Sequence, residues 1–302
     1  MPVPGAAAGV GRVGVIGIGA MGGPMARHLQ HCGVAPRVCD IDPGVCAAAS
    51  ADGIALSDSA AALAAACDTV IVVVVDAQQI DSVLFGGAGV VLAARPGGAP
   101  RQTVVLCSTI APHDTEHFHA RLGEHAIDCI AAPVSGGPAR AADGSLSMMV
   151  AADPAAFDRC EPLLRTLASS LYRVGERIGD AARVKLVNNL LAGIHLVAGA
   201  QAMALGAKLG LDPRLLVDVI NASSGASWMF ADRMPRVLAD DFVPRARTAI
   251  LAKDMRLAIE MAEAAGVEVP LGEQALAAFR RAIEAGWGDW DDAVVARAAP
   301  AY

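Results

Sequence analysis

Lysine is scarce in this 302-residue chain: of 24 basic Lys and Arg residues, only Lys185, Lys208 and Lys253 are lysines. Basic charge as a whole is in the minority, and a net charge of -7 excludes nucleic acid or an anionic membrane as the main partner. A local Arg cluster could still hold a small anion. Aromatic residues make up only 4%, so the core must be built from Ala, Val, Leu and Ile. With 54% hydrophobic and 18% charged residues, the composition excludes a disordered chain. Paired cysteines are missing too. Seven cysteines between Cys32 and Cys160, an odd number without C-x-x-C, fit reduced core residues of a cytoplasmic protein. The start, "MPVPGAAAGVGR", lacks the basic and apolar regions of a signal peptide and reads as a loose leader. The most apolar stretch, Leu190 to Ala207, is interrupted by His195 and Gln201 and falls short of a clean span of ~20 residues. It reads as a buried helix of a helical domain or a subunit interface.

What is present falls into two patterns. Up to about residue 175, short apolar runs alternate with Ala-rich helical stretches such as Gly22 to Cys32 and Asp58 to Ala66. "RVGVIGIG", "RVCDID", "TVIVVVV", "QTVVLCS", "AIDCIAAP" and "LYRVG" read as strands, several apolar at nearly every position, as in a parallel sheet covered on both faces. From about Asp180 onward only helices are expected, the first running from about Ala181 to Leu209. The expectation is a doubly wound, Rossmann-type α/β domain over residues 1–178 and an all-α domain over residues 179–302, with no internal repeat.

The first strand runs into "GIGAMGGPMARHL", in which Gly17, Gly19 and Gly22 form G-x-G-x-x-G between a strand and a helix. The first glycine permits a tight turn and the second lets the backbone approach a pyrophosphate. The third allows close strand–helix packing, with the helix N-terminus toward the phosphates. The next strand ends in Asp40, about 20 residues on, where an acid accepts from an adenosine ribose 2′-hydroxyl and repels a 2′-phosphate. No Arg follows, so NAD is expected rather than NADP. "DIDPG" is equally good turn chemistry, the competing account of Asp40.

"RVKLVNN" keeps one of the three lysines. Arginine cannot release its proton, whereas a desolvated lysine can, with a pKa lowered toward ~7–8 from ~10.4. Lys185 is thus a candidate general base, with Asn189 one helical turn on. The alternative is a solvated helix charge. In "PVSGG", Ser135 offers a hydroxyl and Gly136 and Gly137 offer open amides, a compact receptor for a carboxylate or an ordinary strand-end turn.

With these motifs in order, the chain resembles the β-hydroxyacid dehydrogenase family, which includes 3-hydroxyisobutyrate dehydrogenase. "GIGAMGGPMARHL" is similar to its cofactor signature, "APVSGGPARAADGSL" to its substrate segment, "KLVNN" to its catalytic segment and "KDM" to its second lysine block. The resemblance implies a helical second domain of the 6-phosphogluconate dehydrogenase type. It implies Lys185 and Asn189 as catalytic residues and Ser135, Gly136 and Gly137 as substrate-binding residues. A dinucleotide would be held by Gly17, Gly19, Ala20, Met21, Gly22, Asp40, Val74, Val75, Thr109 and Lys253. No metal is implied. His28, Ala131 and Ala293 depart from the family pattern without removing a chemical group.

The second domain is most similar to L-threonate dehydrogenases, in "VNNLLAGIHLVAGAQAMAL" and "GASWMFADRMPRVLADDFVPR". The expected function is NAD-dependent oxidation of a small anionic hydroxy acid such as L-threonate, in a cytoplasmic homodimer or homotetramer. Alternatives are 3-hydroxyisobutyrate oxidation and NADPH-dependent reduction of small aldehyde acids, which Asp40 opposes. A non-catalytic dinucleotide-binding relative is opposed by the retained lysine. His113, His117 and His119 suggest a metal site without an obvious role, and His195 reads as a core histidine.

Overall fold

The computed structural model describes residues 10–93 and 100–298, so most of the expected leader lies outside the described residues. The chain divides into two compact units, with the division between Lys185 and Leu186.

In the first unit, β1 (Val13–Ile16), β2 (Arg37–Cys39), β3 (Ala55–Leu56), β4 (Thr69–Val72), β5 (Thr103–Leu106) and β6 (Asp128–Ala131) pair in parallel in the order 3-2-1-4-5-6. The register aligns Ile16 with Cys39 and with Val72, and Val72 with Leu106, so these strands end along one edge. The strands are apolar at successive positions because both faces are covered. Val15, Ile71, Val105 and Ile130 enter one core, while Val70, Val72, Val104 and Leu106 enter the other. The covering helices are α1 (Gly22–His31), α2 (Pro43–Ala51), α3 (Ala60–Ala66), α4 (Ala77–Phe85), α5 (Pro112–Glu124), α6 (Gly137–Asp143) and α7 (Pro154–Leu167).

The sheet then changes direction. β8 (Leu146–Ala151) runs antiparallel to β6 and to β7 (Val134–Ser135), and parallel to β9 (Ala168–Gly175). The six runs expected as strands are all present, whereas β3, β7 and β8 were not expected. The first two have two residues each, too few to show alternation. β8 begins at Leu146, the last residue of the segment that the family resemblance assigned to substrate.

The second unit is helical, as expected. α8 (Asp180–Lys208), which begins in the first unit, is followed by α9 (Pro213–Asn221), α10 (Trp228–Leu238), α11 (Thr248–Ala264) and α12 (Pro270–Ala282). α8 is the one helix among the described residues with the length and hydropathy of a membrane span, a stronger signal than its interruptions suggested. Its Leu196 and Met203 join Phe230, Met234, Met255 and Phe279 in a single apolar core, while Val187, Leu191 and Leu205 stay exposed, so the buried helix expected from the sequence is buried on one face only. Asp212 caps α9, and the Ser227 hydroxyl caps α10 by accepting from Phe230 N at 3.0 Å. Buried Arg233 donates to both carboxylate oxygens of buried Asp292, anchoring the C-terminal segment on α10.

Candidate functional site

The expected cofactor residues gather where β1, β2, β4 and β5 end. Gly17 has φ +84, and a Cβ there would lie 2.5 Å from the Val73 carbonyl oxygen. At Gly22 a Cβ would lie 1.9 Å from the Gly17 carbonyl oxygen, so α1 can start this close to the turn only with glycine. A Cβ on Gly19 would meet nothing within 4 Å. Gly19 and Ala20 are exposed and Met21 half-buried, and α1 has no side-chain cap over its first turn. A shielded turn, an open backbone and uncapped helical amides fit the pyrophosphate of a dinucleotide.

Asp40 follows β2 directly. Its Oδ2 accepts from Ile18 N at 2.7 Å, and its Oδ1 accepts from Asp42 N at 2.9 Å. Asp42 in turn caps α2, accepting from Gly44 N at 2.7 Å. The turn account of "DIDPG" is therefore correct as far as it goes, and it leaves room for the other. Two amides fix the carboxylate against the glycine turn, and each oxygen keeps a lone pair for a ribose hydroxyl.

Val74 and Val75 follow β4, and Thr109 follows β5; all three are half-buried. Ser108, not singled out from the sequence, joins these two loops, its hydroxyl accepting from Val74 N at 3.1 Å. Its neighbour Cys107 is no nucleophile, because burial pushes its thiol up to about 12. Ser135 closes β7 opposite Ser147, beyond the end of β6. Gly136 (φ +131) and Gly137 (φ +74) then turn the chain into α6, with open space where a Gly137 side chain would be.

The remaining site residues lie on helices. Lys185 is buried at 6% exposure on α8, which rules out the solvated helix charge, and Asn189 one turn later is buried at 8%. Asn189 donates from Nδ2 to Asp254 Oδ2 at 2.7 Å, and its Oδ1 accepts from Asn188 Nδ2 at 3.0 Å. Asn188 thus supports its neighbour. Lys253 on α11 lies 2.9 Å from Asp254 Oδ1. Asp254 was quoted within "KDM" but given no role, because its partner Asn189 is 65 residues away in sequence. His113 pairs with Asp114, and among the described residues no three His, Cys, Asp or Glu side chains gather as a metal would require.

This strand order, glycine turn and terminal acid define the class: a nicotinamide dinucleotide-binding oxidoreductase domain joined to a helical domain. The comparisons carry it further. Residues 12–175 match the family model of the NAD-binding domain of 6-phosphogluconate dehydrogenase, and residues 179–299 match that of the NAD-binding domain of NADP-dependent 3-hydroxyisobutyrate dehydrogenase. The L-threonate dehydrogenase of Cupriavidus necator is 39% identical over 289 residues, 95% of this chain and 96% of that protein. The crystal structure of a 3-hydroxyisobutyrate dehydrogenase from Salmonella typhimurium is 36% identical, with a TM-score of 0.87 over 95% of this chain and 99% of that one. A Mycobacterium tuberculosis 3-hydroxyisobutyrate dehydrogenase solved with L-serine is 30% identical, with a TM-score of 0.82 over 95% and 98%. The chain belongs to the 3-hydroxyisobutyrate dehydrogenase-like family of β-hydroxyacid dehydrogenases, and it is an oxidoreductase.

Proposed function

We propose that the protein oxidises a small hydroxy acid, L-threonate or a similar four-carbon polyhydroxy acid, with NAD as hydride acceptor. The observation that carries this reading is the pair Lys185 and Asn189, buried one turn apart on α8 within L-threonate dehydrogenase-like sequence. When bound, the dinucleotide supplies the acceptor for the hydride. Everything else falls to the chain. Lys185, as the neutral amine, takes the proton from the substrate hydroxyl, and its ammonium returns one in the reverse direction. Asn189 keeps one amide proton and one carbonyl lone pair beyond its two observed bonds, enough to orient a hydroxyl. Ser135 and the amides of Gly136 and Gly137 receive the carboxylate.

NAD is preferred over NADP in this reading because the carboxylate of Asp40 after β2 would repel a 2′-phosphate, and exposed Ile41 and Asp42 follow it instead of a cation. The competing substrates are 3-hydroxyisobutyrate and L-serine, the latter favoured by the M. tuberculosis relative solved with it. Side-by-side kinetics with these three acids and both dinucleotides test the reading. We expect the highest kcat/KM for L-threonate with NAD. Turnover of 3-hydroxyisobutyrate or serine with none of threonate would overturn the substrate assignment. We further propose a cytoplasmic homo-oligomer. The exposed stripe of α8, Val187, Leu191 and Leu205, carries no charge between Lys185 and Lys208 and suits a second copy of itself.

A further inference from the structure

Asp254 is 4% exposed, deep in the helical unit, where a carboxylate is costly unless its oxygens are satisfied. One oxygen is satisfied by a hydrogen bond, and the other, without one, has only the charge of a neighbouring ammonium to offset its burial. Oδ2 accepts from the amide of Asn189, and Oδ1 faces the ammonium of Lys253 at 2.9 Å. An ionised carboxylate can only accept, so it dictates that the nitrogen end of the Asn189 amide faces α11. Asn188 donates to the other end at 3.0 Å, leaving Asn189 a single orientation. The helices come close enough for this at Gly193, one turn beyond Asn189. A Cβ there would sit 2.2 Å from Met255 Sδ, so a larger residue would have to displace the Met255 thioether that packs between α8 and α11.

We propose that Asp254 is a positioning residue that couples the two ligands. One carboxylate orients Asn189, assigned to the hydroxy acid, and fixes Lys253, assigned to the dinucleotide. The proposal rests on the functional reading given above for those two residues. Its consequence is specific: neutralising Asp254 should disturb both binding steps through two different neighbours, whereas a merely structural role would disturb them only through the fold.

The test is a pair of double-mutant cycles on the full-length protein. Asp254→Asn keeps the shape, so it serves where Asp254→Ala fails to fold, and equal thermal melting certifies each variant. In the first cycle, kcat/KM for L-threonate is expected to fall about ten- to a hundred-fold in Asp254→Ala or Asp254→Asn. It should fall no further when either is combined with Asn189→Ala than in Asn189→Ala alone. In the second, the Kd for NAD, titrated without hydroxy acid, is expected to rise about ten-fold, and combination with Lys253→Met should again be non-additive. Additive effects in both cycles, or a folded Asp254→Asn protein with wild-type kcat/KM and Kd, would overturn the coupling. The NAD titration does not depend on turnover. A wild-type protein that oxidises none of the acids would therefore sink the functional reading, while the binding cycle would still decide whether Asp254 acts through Lys253.

Discussion

The two units handle their apolar residues in opposite ways. The first, with the larger share of the chain, leaves five large hydrophobic side chains exposed among the described residues; the second leaves fourteen. A parallel sheet covered on both faces buries each strand completely, so the first unit is closed on itself apart from its strand-end loops. A bundle built around one long apolar helix has more apolar surface than its own partners can cover. The difference teaches where each property resides. The first unit carries the shaped, polar loop ends that suit a dinucleotide. The second carries the buried polar cluster around Asn189 and the exposed apolar side chains on which the proposed second copy would pack.

The largest effect should separate the two roles. Lys185→Ala is expected to lower turnover by roughly 10²–10⁴-fold while leaving the NAD Kd near wild type, measured by titration. A parallel loss of NAD affinity would break the division of labour. Next in size, Asp40→Ser with Ile41→Arg should move the NAD-to-NADP ratio of kcat/KM about ten- to a hundred-fold toward NADP, with Asn189 and Lys253 untouched. If the unmodified protein already prefers NADP, the reading of the acid after β2 is wrong.

Smaller still is the assembly. Val187→Glu with Leu205→Glu should lower the mass seen by light scattering to that of one chain, with helix content retained. A wild-type protein that is already a monomer would contradict the second-copy account of α8. The smallest effect belongs to the first unit. Burial raises the thiols of Cys107 and Cys129 from 9.0 to about 12. Because the folded pKa lies above the unfolded one, their contribution to stability is full below about 9 and is lost as pH rises toward about 12. Neither thiol should react with iodoacetamide in the native protein at pH ~8, where an unfolded thiol of pKa ~8.5 would. Labelling of either in the folded state would contradict their burial.

Local pattern made much of this legible. The runs "TVIVVVV" and "QTVVLCS" announced β4 and β5 because a strand buried on both faces must be apolar at every position. Gly17, Gly22 and Asp40 were legible because the steric demands of the turn act within about 20 residues. α8 was legible to within a residue at each end from its composition and from Gly210 beyond it. β8 was hidden because its antiparallel partners, β6 and β7, come from earlier turns of the chain and the strand itself carries no turn signal. Asp254 was hidden for the same reason in a sharper form. Its role comes from a partner on another helix, brought near by Gly193, and no spacing rule within "KDM" states that contact.

The claim on which the account turns is that a buried lysine on α8 moves a proton. The most direct test is steady-state formation of reduced nicotinamide from NAD and L-threonate by the wild-type protein and by Lys185→Arg, which keeps the charge but cannot exchange the proton. The account predicts clear turnover by the former and a rate at least about a hundred-fold lower in the latter, with both proteins equally folded and equally able to bind NAD. An arginine variant that turns over at close to the wild-type rate would contradict it.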